Sequence, residues 1–503
     1  MADKPPVEKS QAKKQAQPQA KTEPAKTLGI TAKKEEDFGE WFSQVITRAE
    51  LIEYTEVSGC YVFRPASFEM WEKTRSFLDA EFKRRGVRNA YFPLFIPERL
   101  MNKEKSHIAG FTPEVAWVTH SGETKLAERL AVRPTSETIM YESFKKWIRS
   151  WRDLPLLINQ WCNIVRWEFK NPVPFIRSRE FLWQEGHTVH ATEECAKKET
   201  FEILDLYEKA YKELYAIPVI KGIKSDSEKF AGALYTTSCE VFLPNGKAAQ
   251  GCTSHALGQN FAKAFDITFI DKDEQKKHPW QNSWGFTTRT LGLMIMMHSD
   301  NKGLVLPPSI APLQAVIVPI MFDDSKERVL KEAAKIRDAL APDCSVMLDD
   351  RAEYTPGWKF NEWEMKGVPL RIEIGPKDID KGQAVMARRD TGKKEFIPLS
   401  EIAARAADAL CAMQKDLYDK ALEHRKANTV TVKDIPELQK AIKEEKLARA
   451  AWCNDEKCET SIKDKVEGAK IICLPLGEKV NAGESCALCG KKAVAIAFIA
   501  KSY

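Results

Sequence analysis

Arg166-Trp-Glu-Phe-Lys-Asn-Pro-Val-Pro-Phe-Ile-Arg-Ser-Arg-Glu-Phe-Leu-Trp-Gln-Glu-Gly-His187 is the stretch whose reading decides the fold. Strand-forming residues run from Leu156 to Trp167 and again from Phe175 to Trp183, and a turn at Lys170-Asn171-Pro172 separates them. Two such runs across a turn predict an antiparallel hairpin. Side chains alternate along strands, so Arg166 and Glu168 are expected on one face, within reach of one ligand. A guanidinium fork suits phosphate, and a nearby carboxylate suits an adenine amine or a loop donor. Alone, an Arg-x-Glu pair is an exposed charged hairpin. Three arginines, two glutamates before the histidine-bearing end and several aromatics in so short a span point instead to an anion-binding site.

Other segments carry chemistry of the same kind. Ala131-Val-Arg-Pro-Thr-Ser-Glu137 places a hydroxyl (Thr135) and a carboxylate (Glu137) two residues apart after a proline, a pair suited to an ammonium group. A helix N-cap at Thr135 or Ser136 is equally compatible with that spacing. Glu240 precedes Gln250-Gly-Cys-Thr-Ser-His255, where small residues let the backbone approach a ligand while Gln250, Thr253 and His255 offer polar groups. Ser283-Trp-Gly-Phe-Thr-Thr-Arg289 opens an apolar helix expected over Thr290 to His298. Gly86 to Pro97 reads as a buried strand following an amphipathic helix. Cys453-x₄-Cys458 and Cys486-x₂-Cys489 have the spacing of a closed Cys₄ zinc site, structural because no coordination position is left open.

The bulk properties narrow the field. A chain of 503 residues with 43% hydrophobic and 30% charged residues is a multidomain globular protein. No apolar run approaches the roughly 20 residues of a membrane span. The polar amino terminus lacks a secretory signal, and a cytoplasmic location is expected. A formal net charge of +5 makes any nucleic-acid surface local. Of 12 cysteines, those outside the two pairs are scattered singly and read as small buried hydrophobes.

Residues 1–30 are rich in Lys, Ala, Gln and Pro and read as a disordered basic tail. From 31 to 306, strands joined by short turns predict an α+β core on an antiparallel sheet. From 307 to 415 the order is strand (Leu313–Ile320), helix (Ser325–Leu340), strand (Ser345–Leu348), helix (Trp358–Lys366), strand (Pro369–Ile374), an α/β unit with a largely parallel sheet. A long helix over Leu399–Lys426 leads into a small α/β zinc-binding unit, 416–503.

The opening stretch resembles motif two of the class II aminoacyl-tRNA synthetases, and its surroundings resemble the prolyl enzymes in their archaeal and eukaryotic form. The resemblance runs from about Asp37 to the last residue, roughly nine tenths of the chain. Gly86–Pro97 then resembles motif one, the dimer-interface strand, and Ser283–Arg289 motif three. The resemblance implies ATP-dependent ligation of L-proline to tRNA(Pro) through a prolyl-adenylate, with Mg²⁺ accompanying ATP and a homodimer as the working unit. It implies Arg166 on the α-phosphate and substrate carboxylate, Arg289 on the γ-phosphate, and Glu168, Arg177, Gln250 and Thr253 on ATP. It assigns proline to Thr135, Glu137, Arg166, Trp183, Glu185, His187, Phe230 and His255, and sets Glu240 and Gln250 beside magnesium. Thr355 to Arg371 resembles the prolyl anticodon-binding domain, with Glu364, Arg371 and Lys393 as readers of two guanines.

The threonyl relative has a zinc-ligating cysteine two residues before the motif-two arginine, where this chain has Ile164. A pocket of Trp183, Phe230 and His255 suits a compact apolar ring and discriminates weakly against alanine and cysteine, since one methylene is worth about 1–3 kcal/mol. The segment between motifs two and three is too short for an editing domain. Tyr503 resembles the family's terminal tyrosine, with its carboxylate expected near the active site. The tail is a candidate dock for other synthetases. A non-catalytic relative on the same fold is the main rival, against which stand both Arg166 and Arg289.

Overall fold

A computed structural model of the chain describes residues 29–107, 114–168 and 170–503. The basic tail and its docking role fall, but for two residues, outside the described residues. The hairpin forms from Leu156–Val165 and Glu180–His190, paired antiparallel from Leu156 opposite Val189 to Val165 opposite Glu180. The second strand therefore starts five residues later than expected and runs on to His190. Two prolines, Pro172 and Pro174, withhold backbone donors from a ladder there. Phe175 takes a φ of 63°, and the Arg179 amide donates to the carbonyl of Gly59 rather than to a strand partner. Arg166 likewise lies just beyond its strand, and Glu168 sits exposed in the following turn, so strand alternation does not relate the two.

The hairpin lies towards one edge of a sheet in the order Thr429–Val432, Leu447–Trp452, Ala495–Ser502, Ala469–Pro475, Ile220–Ile223, Tyr235–Phe242, Lys247–Gly258, Trp280–Thr287, Glu180–His190, Leu156–Val165, Arg88–Asn89. From Ile220–Ile223 to Leu156–Val165 every neighbouring pair is antiparallel. The α+β core is as expected, but the zinc-binding unit does not form a sheet of its own. Its strand Ala469–Pro475 pairs with Ile220–Ile223, and Lys501 and Ser502 pair with Lys247 and Ala248.

One face of the sheet is covered by helices. Glu193–Glu213 starts at Thr192, whose side chain accepts the Cys195 amide, with Glu193 and Glu194 in the first turn, where the helix dipole favours them. Its buried Tyr207 and Tyr211 donate to, or share a proton with, Gln184 (2.7 Å) and Thr290 (2.8 Å). Packing here is close enough that a Cβ on Gly251 would lie 2.2 Å from the Tyr211 hydroxyl. The helix Arg289–His298 is buried along nearly its whole length, as its apolar sequence requires.

The next unit has a five-stranded sheet in the order Val346–Leu348, Ala315–Pro319, Leu370–Ile374, Gln383–Arg388, Lys394–Pro398. The first three strands are parallel and the last two form an antiparallel hairpin, so the sheet is mixed. Its strands, Gln-Ala-Val-Met-Ala-Arg and Lys-Glu-Phe-Ile-Pro, are short and carry few large apolar residues, so a reading by apolar runs missed them. The helix Ile402–Ala427 packs Met413 and Leu417 against Ala216 and Val305 of the core. Arg389 donates to both oxygens of Asp300, at 2.6 and 2.8 Å, which ties the unit to the end of the apolar helix.

Candidate active site

Strand register assembles the site from distant parts of the chain. His187 lies opposite Ser283, Ser283 opposite His255, and His255 opposite Thr236, forming a row across four strands. Two residues along, Glu185, Gly285 and Thr253 form the neighbouring row; two further, Trp183 faces Thr287. Because alternate residues share a face, these rows line one wall of a cavity of about 270 Å³. Thr135, Glu137, Arg166, Arg177, Phe230, Gln250 and Arg289 complete it. Of the residues expected to touch substrates in the core, Glu168 and Glu240 alone do not line it.

At one end the groups are acidic and aromatic. Thr135 donates to the Glu137 carboxylate, and both are buried. Glu185 accepts from Ser136, from Gln160 at 3.0 Å and from the Cys162 thiol at 3.5 Å, and faces His187 Nε2 at 3.1 Å. Burial works against its charge, yet the bonds from His187, Ser136 and Gln160 bring its pKa below the usual carboxylate range. Burial also pushes His187 down, but the Glu185 hydrogen bond and the charges of Glu137 and Glu185 outweigh it and leave His187 raised.

His255 is the opposite case. Burial, followed by the positive charges of His187 and Arg166, takes it down to about 3, so it is neutral. Its Nδ1 lies 2.9 Å from the Thr236 hydroxyl and its Nε2 2.9 Å from that of Thr253. Thr236 already accepts the Phe230 amide, so its proton is free for Nδ1, which assigns the Nε2–H tautomer to His255. The Phe230 ring lies 4.7 Å from the His255 ring.

The other end is cationic. Arg166 Nε donates to the Pro134 carbonyl at 3.0 Å, and its guanidinium stands 5.7 and 5.6 Å from the Phe181 and Trp183 rings. Arg289 Nε donates to the Ile176 carbonyl at 2.9 Å and Nη1 to that of Gln250 at 3.2 Å. Neither arginine has a carboxylate in hydrogen-bond contact among the described residues. Burial lowers the pKa of both, and for Arg289 the nearby charges of Arg166 and Arg177 lower it further. Desolvated arginines held by carbonyls form a preorganised receptor for an anion with several oxygens.

Glu240 is buried and paired with Lys224 at 2.6 Å; it stands opposite Gln250 in the strand register but does not line the cavity. Lys224 takes one of its two carboxylate oxygens, Oε1. The Cys₄ pattern does fit its metal. Cys453, Cys458, Cys486 and Cys489 bring their sulfurs within 4.8 Å of one another, with Sγ–Sγ distances of 3.6 and 3.8 Å. A tetrahedron with Zn–S bonds near 2.3 Å sets sulfurs about 3.8 Å apart.

In the second unit, Glu364 ends the helix Pro356–Met365 and pairs with Lys302 at 3.0 Å. Arg371 gives Nε and Nη2 to Glu373, at 3.0 and 2.9 Å, under the Phe360 ring. Lys393 is exposed in the hairpin turn, while Lys394 reaches Glu373 at 2.9 Å and the same Phe360 ring. Lys394 is thus the lysine that shares the face of Arg371. Sequence reasoning also passed over Thr236 and Glu228 on the cavity wall. Strand register alone points to Thr236; nothing local marks Glu228. Tyr503 donates its amide to Ala248 O at 3.1 Å, and its hydroxyl accepts from Asn245 at 2.7 Å, close in sequence to Gln250 but outside the cavity lining.

An antiparallel sheet that presents paired arginines at one end of a cavity and an ammonium-sized acidic pocket at the other defines a class II aminoacyl-tRNA synthetase. Family models agree along the chain: the class II core domain of the G, H, P, S and T synthetases matches residues 118–298, an anticodon binding domain 314–408, and the prolyl-tRNA synthetase C-terminal domain 435–503. The chain is 48% identical to the cytoplasmic proline–tRNA ligase of Arabidopsis thaliana, covering 95% of this chain and 91% of the relative. It is 50% identical to proline–tRNA ligase 2 of Clostridioides difficile, covering 94% and 97%. It is 47% identical to the bifunctional glutamate/proline–tRNA ligase of Mus musculus, covering 92% of this chain and 32% of that larger protein. The chain belongs to the proline–tRNA ligase family, the prolyl branch of the class II aminoacyl-tRNA synthetases. It is an aminoacyl-tRNA ligase that joins proline to tRNA at the expense of ATP. No helix among the described residues is long and apolar enough to cross a membrane.

Proposed function

We propose that the cavity holds proline at its acidic end and ATP at its cationic end, with Arg166 between them. The observation that carries this reading is the pair of desolvated arginines held by carbonyls. Thr135 and Glu137 take the two hydrogens of the secondary ammonium. Trp183, Phe230 and neutral His255 enclose the ring. Glu185 has its oxygens supplied by protein donors, and so acts by holding His187 in place. Arg166 binds the proline carboxylate and the α-phosphate together, which sets the attacking oxygen against phosphorus. Arg289 and Arg177 receive the charge that grows on departing pyrophosphate, with Gln250 and Thr253 on the nucleotide. The terminal ribose hydroxyl of tRNA(Pro) then takes the prolyl group from the adenylate. Catalysis rests on positioning and charge neutralisation, and no protein nucleophile is required. ATP enters as its magnesium complex.

Domains at 31–306, 307–415 and 416–503 divide the labour, with Arg371 and Glu364 reading the anticodon and Lys394 joining Lys393 as a candidate. The four thiols hold one structural zinc. A cytoplasmic homodimer is the working form, supported by Tyr91 and Phe95, which leave 72% and 44% of their surface exposed on the motif-one segment. Amino-acid-dependent ATP–pyrophosphate exchange tests the reading without tRNA. Strong exchange with proline, and at most weak exchange with alanine and cysteine, is expected, together with one zinc per chain by metal analysis. Exchange with no amino acid from folded, zinc-loaded protein would overturn the assignment of the cavity.

A further inference from the structure

The wall that carries Phe230 is not held by the catalytic core alone. Residues 224–231 leave the strand Ile220–Ile223 and turn back, with the amides of Glu228 and Lys229 donating to Ser225 O at 3.1 and 3.0 Å. Glu228 and Phe230 then face the cavity. Three contacts tie this loop to the zinc-bearing unit. Lys224 Nζ donates to the Ile472 carbonyl at 2.7 Å, the Ser225 hydroxyl donates to the Glu459 carboxylate at 2.7 Å, and Lys470 pairs with Glu228 at 2.6 Å. Ser225 and Glu459 are both buried, so that hydrogen bond is shielded from water, where it counts for more than at the surface. Glu459 follows Cys458 directly in the helix Glu456–Lys465, so the group that clamps the thiols also fixes the carboxylate.

We propose that Glu459 is a positioning residue for the amino-acid pocket: through Ser225, and with Lys470 on Glu228, it braces the loop that sets Phe230 against the substrate. The tail unit is therefore part of the specificity apparatus for proline and leaves the nucleotide end alone. This proposal rests on the reading of the cavity's acidic end as the proline site. Arg166 and Arg289 donate to none of these residues, which is why the effect is confined to one substrate.

Pyrophosphate exchange on full-length, zinc-loaded protein separates the possibilities. Glu459→Ala is expected to raise KM for proline about tenfold, the worth of one buried hydrogen bond, with KM for ATP and zinc content unchanged. Glu459→Gln, which keeps an acceptor for Ser225, is expected to restore most of that loss. Ser225→Ala removes the donor without touching the helix beside the thiols and should reproduce the proline effect if Glu459→Ala folds poorly. Phe230→Ala checks the pocket itself. An unchanged proline KM in Phe230→Ala overturns the pocket assignment and the brace with it. A raised value there beside unchanged values in Glu459→Ala and Ser225→Ala overturns the brace alone, as does an equal rise for ATP and proline or a Gln variant no better than Ala.

Discussion

Arginines in the catalytic cavity and arginines in the anticodon-binding unit are held in opposite ways. Arg351 gives its fork to Asp349, at 2.8 and 2.7 Å, and Arg388 gives its own to Asp390, at 3.0 and 2.7 Å. Those carboxylates push both guanidinium pKa values up. Arg166 and Arg289 lean on carbonyls, and burial pushes theirs down. A carboxylate neutralises an arginine and joins parts of the fold. A carbonyl orients an arginine without cancelling its charge, and the charge is left for a ligand. The difference separates arginines neutralised within the fold from arginines whose charge stays available, as the proposed phosphate contacts require.

The comparison breaks most visibly at Arg166. Arg166→Ala is expected to cut proline-dependent pyrophosphate exchange on the order of a thousandfold, because one fork serves both substrates in the transition state. Its melting temperature should change little, since the hydrogen bond lost is to the Pro134 carbonyl and not to a carboxylate. Near-normal exchange, or a large loss of stability, would place Arg166 among the structural arginines. Arg371 lies between the two kinds: Glu373 takes two of its nitrogens, and Nη1 has no acceptor in the protein among the described residues. Arg371→Ala should lower kcat/KM for tRNA roughly ten- to a hundredfold, the discrimination carried by one good base contact, while pyrophosphate exchange is spared. Equal losses in both steps would remove it from anticodon recognition.

The smallest effect concerns the two histidines. His255, at about 3 when folded, takes up a proton near pH 6.5 when unfolded. The unfolded chain then binds more protons, so this residue makes stability fall as pH drops from about 6.5 towards 3, with a limiting slope of about 1.4 kcal/mol per pH unit. His187 is raised, so its contribution is complete below about 6.5 and is lost as pH rises through its folded value. Denaturation across pH should show a shallower acid limb in His255→Asn and a shallower alkaline limb in His187→Asn, each relative to wild type. Identical curves for all three proteins would mean that neither ring is held in the state its surroundings dictate.

Much of this was legible in the chain itself. The helices Lys326–Leu340, Pro356–Met365 and Ile402–Ala427 fall within a few residues of their expected bounds, because apolar periodicity, Thr355 as a cap and prolines at helix starts act over one or two turns. Trp183, Glu185 and His187, which the resemblance put in one pocket, share a face because strand alternation is also local. Legibility failed where the decisive partner is distant in sequence. Phe175–Arg179 looked like strand, but the Arg179 amide is claimed by Gly59. Nothing beside Glu240 in the sequence announces its ion pair with Lys224.

The sequence by itself determined the class of fold, the family, the candidate arginines of the cavity and the Cys₄ cluster, since each is written in residue types at short spacing. Tertiary structure alone decided that His187 is raised and His255 lowered, that Glu240 is paired with Lys224, and that the Cys₄ unit shares the catalytic sheet and reaches the loop that carries Phe230. Charge state and pairing depend on burial and on neighbours tens to hundreds of residues away, and only the closed sheet brings those neighbours together.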